Sequence, residues 1–161
     1  MIIAGTGTRQ IAKNYHNLED YTQKMAELLS LGRNKNYDLS VISGCAEGFD
    51  EALAKAANIA GIPWTAALPW AGYGQYYWQN RSVTGADRFH EFQELLDTAS
   101  DVVITPNGYG NESNSNLARN KWMVDNCDKL WTPDWVNGDS GTQHTLNYAA
   151  SVERPFYVVR I

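Results

Sequence analysis

The sequence has few cysteines, no long hydrophobic run and a shortage of basic residues. Its two cysteines, Cys45 and Cys127, lie far apart and form no CxxC pair, so no zinc pattern is present. We therefore expect a reduced, cytoplasmic protein. No apolar stretch approaches the roughly 20 residues that a membrane-spanning helix needs, and we expect no membrane partner.

The charge balance excludes one class of function. Lys and Arg number 13 against 18 Asp and Glu, which gives a formal net charge of −5. A duplex nucleic-acid binder needs a dense basic surface to neutralise phosphates, so this balance argues against duplex binding. A small anionic ligand stays compatible, because backbone N–H groups and one or two cations are enough to hold it. The GxSxG, Walker and HExxH motifs are also missing.

What the 161 residues do contain is a regular alternation of strand and helix patterns. Short apolar runs predict six strands, at residues 1–4, 39–42, 64–68, 102–104, 129–132 and 156–159. Helical spacing predicts five helices between them, at residues 17–32, 49–61, 89–99, 117–126 and 142–151. We take Asn17 as the cap of the first helix and Gly32 as its end.

This alternation predicts a single α/β domain over residues 1–161, with no internal repeat and no linker. The sheet should be mostly parallel, with helices on both faces. Ligands of such sheets bind outside the carboxyl ends of the strands, where the strand order reverses. The loops that follow those ends are residues 5–8, 43–50, 70–85, 105–116 and 135–142.

The first candidate ligand loop reads SGCAEGFD, residues 43–50, between a strand and a helix. Glycines at Gly44 and Gly48 allow a sharp turn and a close approach of backbone to ligand. The following helix should direct its free N–H groups at the loop. The spacing does not match the dinucleotide fingerprint GxGxxG, and a tight turn without a ligand is an equal alternative.

A second glycine-rich loop, NGDSGT at residues 137–142, also precedes a helix. Its backbone and hydroxyl donors suit a phosphate, although a simple turn capped by Ser140 or Asp139 is the alternative. Two such loops in one small domain favour the ligand interpretation.

Arg119, with Asn120 beside it, is able to clamp a phosphate or carboxylate. Taken alone, however, it is typical of a solvated arginine on a helix face.

The stretch at residues 70–85 is rich in glycine and aromatic residues. Its rings are able to stack on a base, but we favour a subunit interface and expect a homo-oligomer, a dimer or larger.

The three histidines lack metal-ligand spacing, so we expect no metal and no cofactor. His144 lies close enough to the second loop to bear on the site, and His16 and His90 are expected at the surface.

Four segments together resemble the SLOG superfamily, a Rossmann-like group that includes DprA and the Lonely Guy phosphoribohydrolases. Residues 5–9 (GTGTR) resemble its opening segment, and residues 43–50 follow its SGxAxGxD pattern. Residues 119–123 match RNxxM, and residues 138–142 match GxSGT. The resemblance covers nearly the whole chain and is strongest to the short YspA-like branch, of bacterial or phage proteins.

The resemblance implies a nucleotide or nucleotide-derived ligand held by the two glycine loops. In the hydrolase branch an arginine and a glutamate act in catalysis; Arg119 matches the arginine, but Gln143 and His144 stand where the glutamate is expected. Asp50, Asp139 or Glu47 are the candidates to replace it. The expected ligand-binding residues are Gly5, Thr6, Thr8, Arg9, Ser43, Gly44, Ala46, Gly48, Asp50, Arg119, Asn120, Gly138, Asp139, Ser140, Gly141 and Thr142.

Three functions follow as hypotheses. The first is a protein that senses or sequesters a nucleotide, including a signalling nucleotide of the kind involved in phage conflict. The second is an N-glycosidic hydrolase or transferase on nucleoside monophosphates, with catalytic candidates Arg119, Asp50 and Asp139. The third is single-stranded DNA binding through aromatic stacking, as in DprA, which the acidic balance disfavours. Whether the protein is an enzyme is left open by the missing glutamate.

Overall fold

The computed structural model describes residues 1–106, 115–134 and 140–161. These contain six strands and five α-helices that alternate along the chain. The strands are β1 (Ile2–Gly5), β2 (Ser40–Ser43), β3 (Trp64–Leu68), β4 (Asp101–Ile104), β5 (Lys129–Pro133) and β6 (Phe156–Val159). The helices are α1 (Tyr15–Asn34), α2 (Phe49–Ala60), α3 (Phe89–Asp97), α4 (Ser115–Asn126) and α5 (Ser140–Ser151).

All six strands form one sheet in the order β4-β3-β2-β1-β5-β6, and every neighbouring pair is parallel. The predicted α/β class is therefore confirmed, and the sheet is wholly rather than mostly parallel. The chain builds outward from β1 to β4 and then returns to the other side of β1 with β5. The strand order thus reverses between β1 and β5, which is where sheets of this type bind ligands.

Helices cover both faces of the sheet, as the sequence predicts. Successive strand residues point to opposite faces, so Ile3 joins the core formed with α1 and α2 while Ala4 joins the core formed with α4 and α5. The first core is larger and includes the buried Trp64 and Phe49. The second is built around Met123 of α4. The site described below lies at the carboxyl edge shared by both layers.

The ends of α1 differ from the prediction. The cap is Asn14, not Asn17, because Asn14 has an extended backbone and its side-chain oxygen accepts the amides of His16 and Asn17 at 3.0 and 3.3 Å. Asn17 lies inside the helix. Gly32 does not end it either, since the helix continues to Asn34. The error at the start comes from choosing between two nearby asparagines, both of which are typical cap residues.

Three further segments are more regular than predicted. A short 3-10 helix, Arg9–Lys13, follows the loop after β1. A π-helical turn, Gln75–Gln79, lies inside the aromatic loop. The last helix begins at Ser140, so Ser140 and Gly141 are helical and not part of the preceding turn. Within the described residues, no helix combines the length and apolar character needed to span a bilayer.

Candidate functional site

A cavity of about 150 Å³ opens at the carboxyl edge of the sheet, beside the point where the strand order reverses. The loop after β1, the loop after β2 and the start of α5 all contribute to its wall. Predicted site residues in the lining are Thr6, Arg9, Ala46, Asp50, Arg119, Asn120, Gly141 and Thr142. The lining also contains Gly7, Tyr73, Tyr77 and Asn116.

The loop after β2 is fixed by its own side chains. The Ser43 hydroxyl donates to the Asp50 carbonyl oxygen at 2.8 Å and accepts the Cys45 amide at 3.1 Å. A Cβ on Gly44 would lie 2.8 Å from the Nη1 of Arg119 and 2.8 Å from the Oδ2 of Asp50. Glycine is therefore required at position 44, because the two charged groups occupy the space a side chain would need.

Two amides at the start of α2 are bonded within the chain and are not free for a ligand. Gly48 N–H donates to the Glu51 carboxylate at 3.3 Å, and Phe49 N–H donates to the Thr8 carbonyl at 3.4 Å. Gly48 has a φ of +85°, and a Cβ there would lie 2.4 Å from the Thr8 oxygen. The expectation of free N–H groups at this helix is therefore wrong for these two amides, which lock the loops after β1 and β2 together.

Arg119 is buried, with 4% of its surface exposed, so the alternative of a solvated helix-face arginine is wrong. Its Nη1 donates to the carbonyl oxygens of Gly44 and, at 3.2 Å, Ala67, while its Nε donates to Asn120 at 2.8 Å. The guanidinium carbon lies 5.5 Å from the ring centre of Tyr73. Arg119 therefore ties the loop after β2 and strand β3 to α4 beneath the cavity.

Burial also decides the protonation of two neighbours. Burial raises the pKa of the Cys45 thiol to about 12, with a further rise from the Asp50 charge that Arg119 and Ser43 oppose. Burial likewise raises the pKa of Tyr73 to about 12, against the lowering influence of Arg119. Both groups are neutral at physiological pH. Cys45 is consequently no thiolate nucleophile, and Tyr73 offers the site a protonated hydroxyl.

The second glycine loop reaches the cavity through the first turn of α5. Gly141 and the buried Thr142 line it, whereas Ser140 and His144 are exposed and lie outside the lining. Gly138 and Asp139 fall outside the described residues. Two segments that are far apart in the sequence thus line one cavity: Ala46 and Asp50 come from the first, and Gly141 and Thr142 at the start of α5 come from the second.

A second arginine lies higher on the wall. Arg9 donates from Nη2 to the Arg81 carbonyl at 2.9 Å, and its guanidinium carbon lies 4.8 Å from the ring centre of Tyr77. Its Nε is buried and has no hydrogen-bond partner in the described part of the chain. Arg9 is therefore a cation of the lining that keeps one buried donor unused.

Buried charges hold the aromatic segment, residues 70–85, against the rest of the domain. Glu47 accepts from the Ser82 hydroxyl at 2.7 Å and the Val83 amide at 3.0 Å. Arg88 bridges Glu47 at 2.9 Å and Glu51 at 2.6 Å. Glu47 is 1% exposed and does not line the cavity. Glu47 therefore anchors the aromatic segment. Because it lies outside the lining, it does not replace the missing catalytic glutamate there.

The aromatic rings themselves mostly lie inside the chain. Tyr73 and Trp78 are buried, and the Trp78 indole N–H donates to the Cys45 carbonyl at 2.8 Å. Tyr73 and Tyr77 contact each other with ring centres 5.0 Å apart. Tyr76, at 40% exposure, is the large hydrophobic of this segment that stays at the surface. Tyr73 and Trp78 therefore stabilise the domain itself, and an interface through the exposed residues of this segment stays a prediction.

The remaining predicted residues act behind the lining. Thr8 caps the short helix that follows it by accepting the Gln10 amide at 3.1 Å. Gly5 leaves room for the Leu53 side chain, whose Cδ2 would lie 2.7 Å from a Cβ at position 5. Asn116 is a lining residue that none of the sequence motifs predicted. Its spacing from Arg119, three residues along α4, places both on one helix face, and this signal was available.

Comparisons with known proteins give structural matches only. No protein-family model matches the sequence, and neither does any curated protein. DNA processing protein A (DprA) from Streptococcus pneumoniae matches with a TM-score of 0.67 at 18% identity, over 97% of this chain and 49% of that one. The chain therefore spans about half the length of that relative.

Two other structures extend the comparison. The Helicobacter pylori DprA, described for its single-stranded DNA binding mode, matches with a TM-score of 0.62 at 18% identity, over 98% of this chain and 64% of that one. The molybdenum cofactor carrier protein from Chlamydomonas reinhardtii matches with a TM-score of 0.56 at 14% identity, over 99% and 77%. At these identities the likeness concerns the fold alone: the chain shares the Rossmann-type α/β fold of these structures.

Proposed function

We propose that the protein binds a small anionic ligand of the nucleotide type in the cavity, and that it senses or sequesters this ligand. The observation that carries the proposal is that Ala46 and Asp50, which follow β2, line one cavity with Gly141 and Thr142 of the first turn of α5, at the reversal of strand order. The start of α5 supplies the positive end of a helix dipole at the same point. The motif resemblance supports placement in the YspA-like branch.

The two arginines have different parts in this proposal. Arg119 already donates to two backbone carbonyls and to Asn120, so its part is to give the cavity floor a positive electrostatic potential. Arg9 has the unused buried Nε, and a phosphate oxygen is the acceptor that best fits a guanidinium donor. We therefore assign the direct phosphate contact to Arg9. Thr6 and Thr142 bring hydroxyl groups to the same lining.

The test is calorimetry against nucleoside mono-, di- and triphosphates, cyclic nucleotides and a short single-stranded DNA, with product analysis of each mixture. Arg9→Ala should weaken binding about 10- to 150-fold, as expected when a charge-assisted hydrogen bond of about 1.5–3 kcal/mol is lost. Arg81→Ala is the matched control, since Arg81 stacks on the exposed Tyr76 at 4.3 Å outside the lining. Equal affinity in wild type and Arg9→Ala would contradict the assignment.

A second function, cleavage of an N-glycosidic bond, is favoured by one observation. Asp50 lines the cavity, is 5% exposed and lies beside Arg119 across Gly44. A carboxylate there is able to stabilise the positive charge that develops on the sugar as the base leaves. Release of free base, lost in Asp50→Asn, is the expected result if this function holds. Recovery of every nucleotide unchanged would exclude it.

A further inference from the structure

Asn116 contributes a second unused polar atom to the cavity wall. Its side-chain oxygen is buried and has no hydrogen-bond partner in the part of the chain that the structure describes. Its amide nitrogen is engaged, because it donates to the Tyr77 hydroxyl at 2.7 Å. Both residues line the cavity. Buried polar atoms in folded proteins are almost always hydrogen-bonded, so an unused acceptor in a binding cavity indicates a donor on the ligand.

The pair presents a donor next to an acceptor. Because the Tyr77 oxygen accepts from Asn116, the Tyr77 proton is available to a ligand, and the Asn116 oxygen is available beside it. A hydroxyl group fits such a pair, because its one oxygen accepts from one neighbour and donates to the other. The 2′-hydroxyl of ribose has this double character, and it is the group by which proteins tell ribose from deoxyribose.

The position of the pair fits a sugar next to a phosphate. Arg9 lies over the Tyr77 ring at 4.8 Å, so a phosphate on Arg9 would place the adjoining sugar near the Tyr77 hydroxyl. The cavity of about 150 Å³ is small, which favours enclosing this end of a nucleotide. One face of Tyr77 is already covered by Arg9, and the rings of Tyr73 and Tyr76 lie 5.0 and 4.9 Å from its ring centre. This packing disfavours Tyr77 as a stacking platform and favours a role for its hydroxyl.

We propose that Asn116 and Tyr77 recognise a ribose hydroxyl, so that the site selects ribonucleotides over deoxyribonucleotides. This inference rests on the proposed nucleotide binding and adds the sugar class to it. The selection would act as a specificity device, because a deoxy sugar leaves the Asn116 acceptor buried without a partner. It also separates a free ribonucleotide from single-stranded DNA as the occupant of the cavity.

The experiment measures affinities of adenosine, guanosine, cytidine and uridine 5′-monophosphates in matched pairs with their 2′-deoxy forms, and of 3′-deoxyadenosine 5′-monophosphate. In wild type, one deoxy position should lower affinity by at least about tenfold. Tyr77→Phe and Asn116→Leu should bring that ratio close to one. Tyr76→Phe, which changes a tyrosine outside the lining, should leave it intact. Thermal melting confirms that each variant is folded.

The outcomes separate this inference from the proposal on which it rests. Binding of ribo and deoxy forms with equal affinity would overturn sugar recognition while nucleotide binding stands. A ratio that persists in both Tyr77→Phe and Asn116→Leu would also overturn it, because other groups would then read the sugar. If no monophosphate, diphosphate or cyclic nucleotide binds at all, the nucleotide proposal itself fails and sugar recognition fails with it.

Discussion

Arg88 supports the strongest stability prediction, because it is the shared partner of two fully buried carboxylates. Glu47 and Glu51 are 1% and 0% exposed, and Arg88 bonds them at 2.9 and 2.6 Å. Its guanidinium carbon also lies 4.7 Å from the ring centre of Trp78. Arg88→Met keeps the aliphatic stem and removes the charge, so it leaves both carboxylates without their main counter-charge.

The expected magnitude follows from the burial. Removing one partner of a buried ion pair destabilises a protein by about 3–5 kcal/mol. For a domain of this size about 2–4 °C is lost per kcal/mol, so the melting temperature should fall by about 6–20 °C. Lys55 limits the effect on Glu51, since it stays 2.9 Å away on the same carboxylate, although its side chain is 42% exposed.

The stability difference between wild type and Arg88→Met should also change with pH in a definite direction. Burial alone would raise the pKa of Glu51, but the hydrogen bond from Arg88 and the charges of Lys55 and Arg88 outweigh it, and the pKa is lowered. A group with a lowered folded-state pKa adds stability above its unfolded pKa, and that stability is lost as pH falls through the folded pKa. In Arg88→Met this contribution is removed, and protonation of Glu51 stabilises the folded variant because it neutralises a buried charge that has lost its main partner. The difference between the two proteins should therefore shrink from pH 7 toward pH 4.

Urea unfolding at pH 7, 5.5 and 4 measures the effect. Glu51→Gln in the Arg88→Met background should recover part of the lost stability, because it removes a buried charge that has lost its partner. Arg81→Met is the control, since Arg81 is exposed and should change stability by no more than about 1 kcal/mol. An Arg88→Met penalty below about 1 kcal/mol, or one that is independent of pH, would refute the reasoning.

Other predictions concern backbone strain and thiol reactivity. Gly48→Ala and Gly85→Ala both place a side chain at positive φ, at a cost of about 1–3 kcal/mol each. Urea unfolding should show the larger loss of stability for Gly48→Ala. The new Cβ at position 48 would lie 2.4 Å from a backbone oxygen, whereas nothing lies within 4 Å of a Cβ at position 85. Burial raises the pKa of Cys45 to about 12 and of Cys127 to about 11, so iodoacetamide at pH 8 should leave the native protein unmodified. Mass spectrometry should find both thiols alkylated once urea is added, and rapid native labelling would contradict the assigned burial.

The fold was accessible from the sequence because its signals are local. Short apolar runs end at turn residues, as at Leu68 before Pro69, and a helix such as α2 repeats its alanines on one face and ends at Gly61, which is left-handed at φ +68°. Such patterns need no knowledge of distant residues. The alternation of strand and helix then leaves few ways to build the sheet. The wholly parallel topology follows from that alternation.

Roles in the site were harder to predict because they depend on partners far along the chain. Arg119 alone resembles a solvated arginine, and its burial depends on carbonyls at Gly44 and Ala67 that only the folded sheet brings to it. The amides of α2 looked free in sequence, but the Thr8 carbonyl comes from another loop. The aromatic segment suggested an interface, and Arg88 is what draws it inward. No periodicity encodes such long-range pairs.

The two arginines of the lining show why motif matching and geometry have to be weighed together. The motif singles out Arg119, yet Arg119 binds the backbone of β3 and of the loop after β2, so its removal disturbs the floor of the cavity as well as its charge. Loss of ligand binding in an Arg119 variant would therefore not distinguish contact from architecture. Arg9 lies on the wall, with one buried nitrogen unused and its side chain 32% exposed. Its polar contacts go to the Arg81 carbonyl and, at 3.6 Å, to Glu47, and neither residue lies in a strand. Substitution of Arg9 therefore leaves the carbonyl contacts of Arg119 in place and reports more directly on binding.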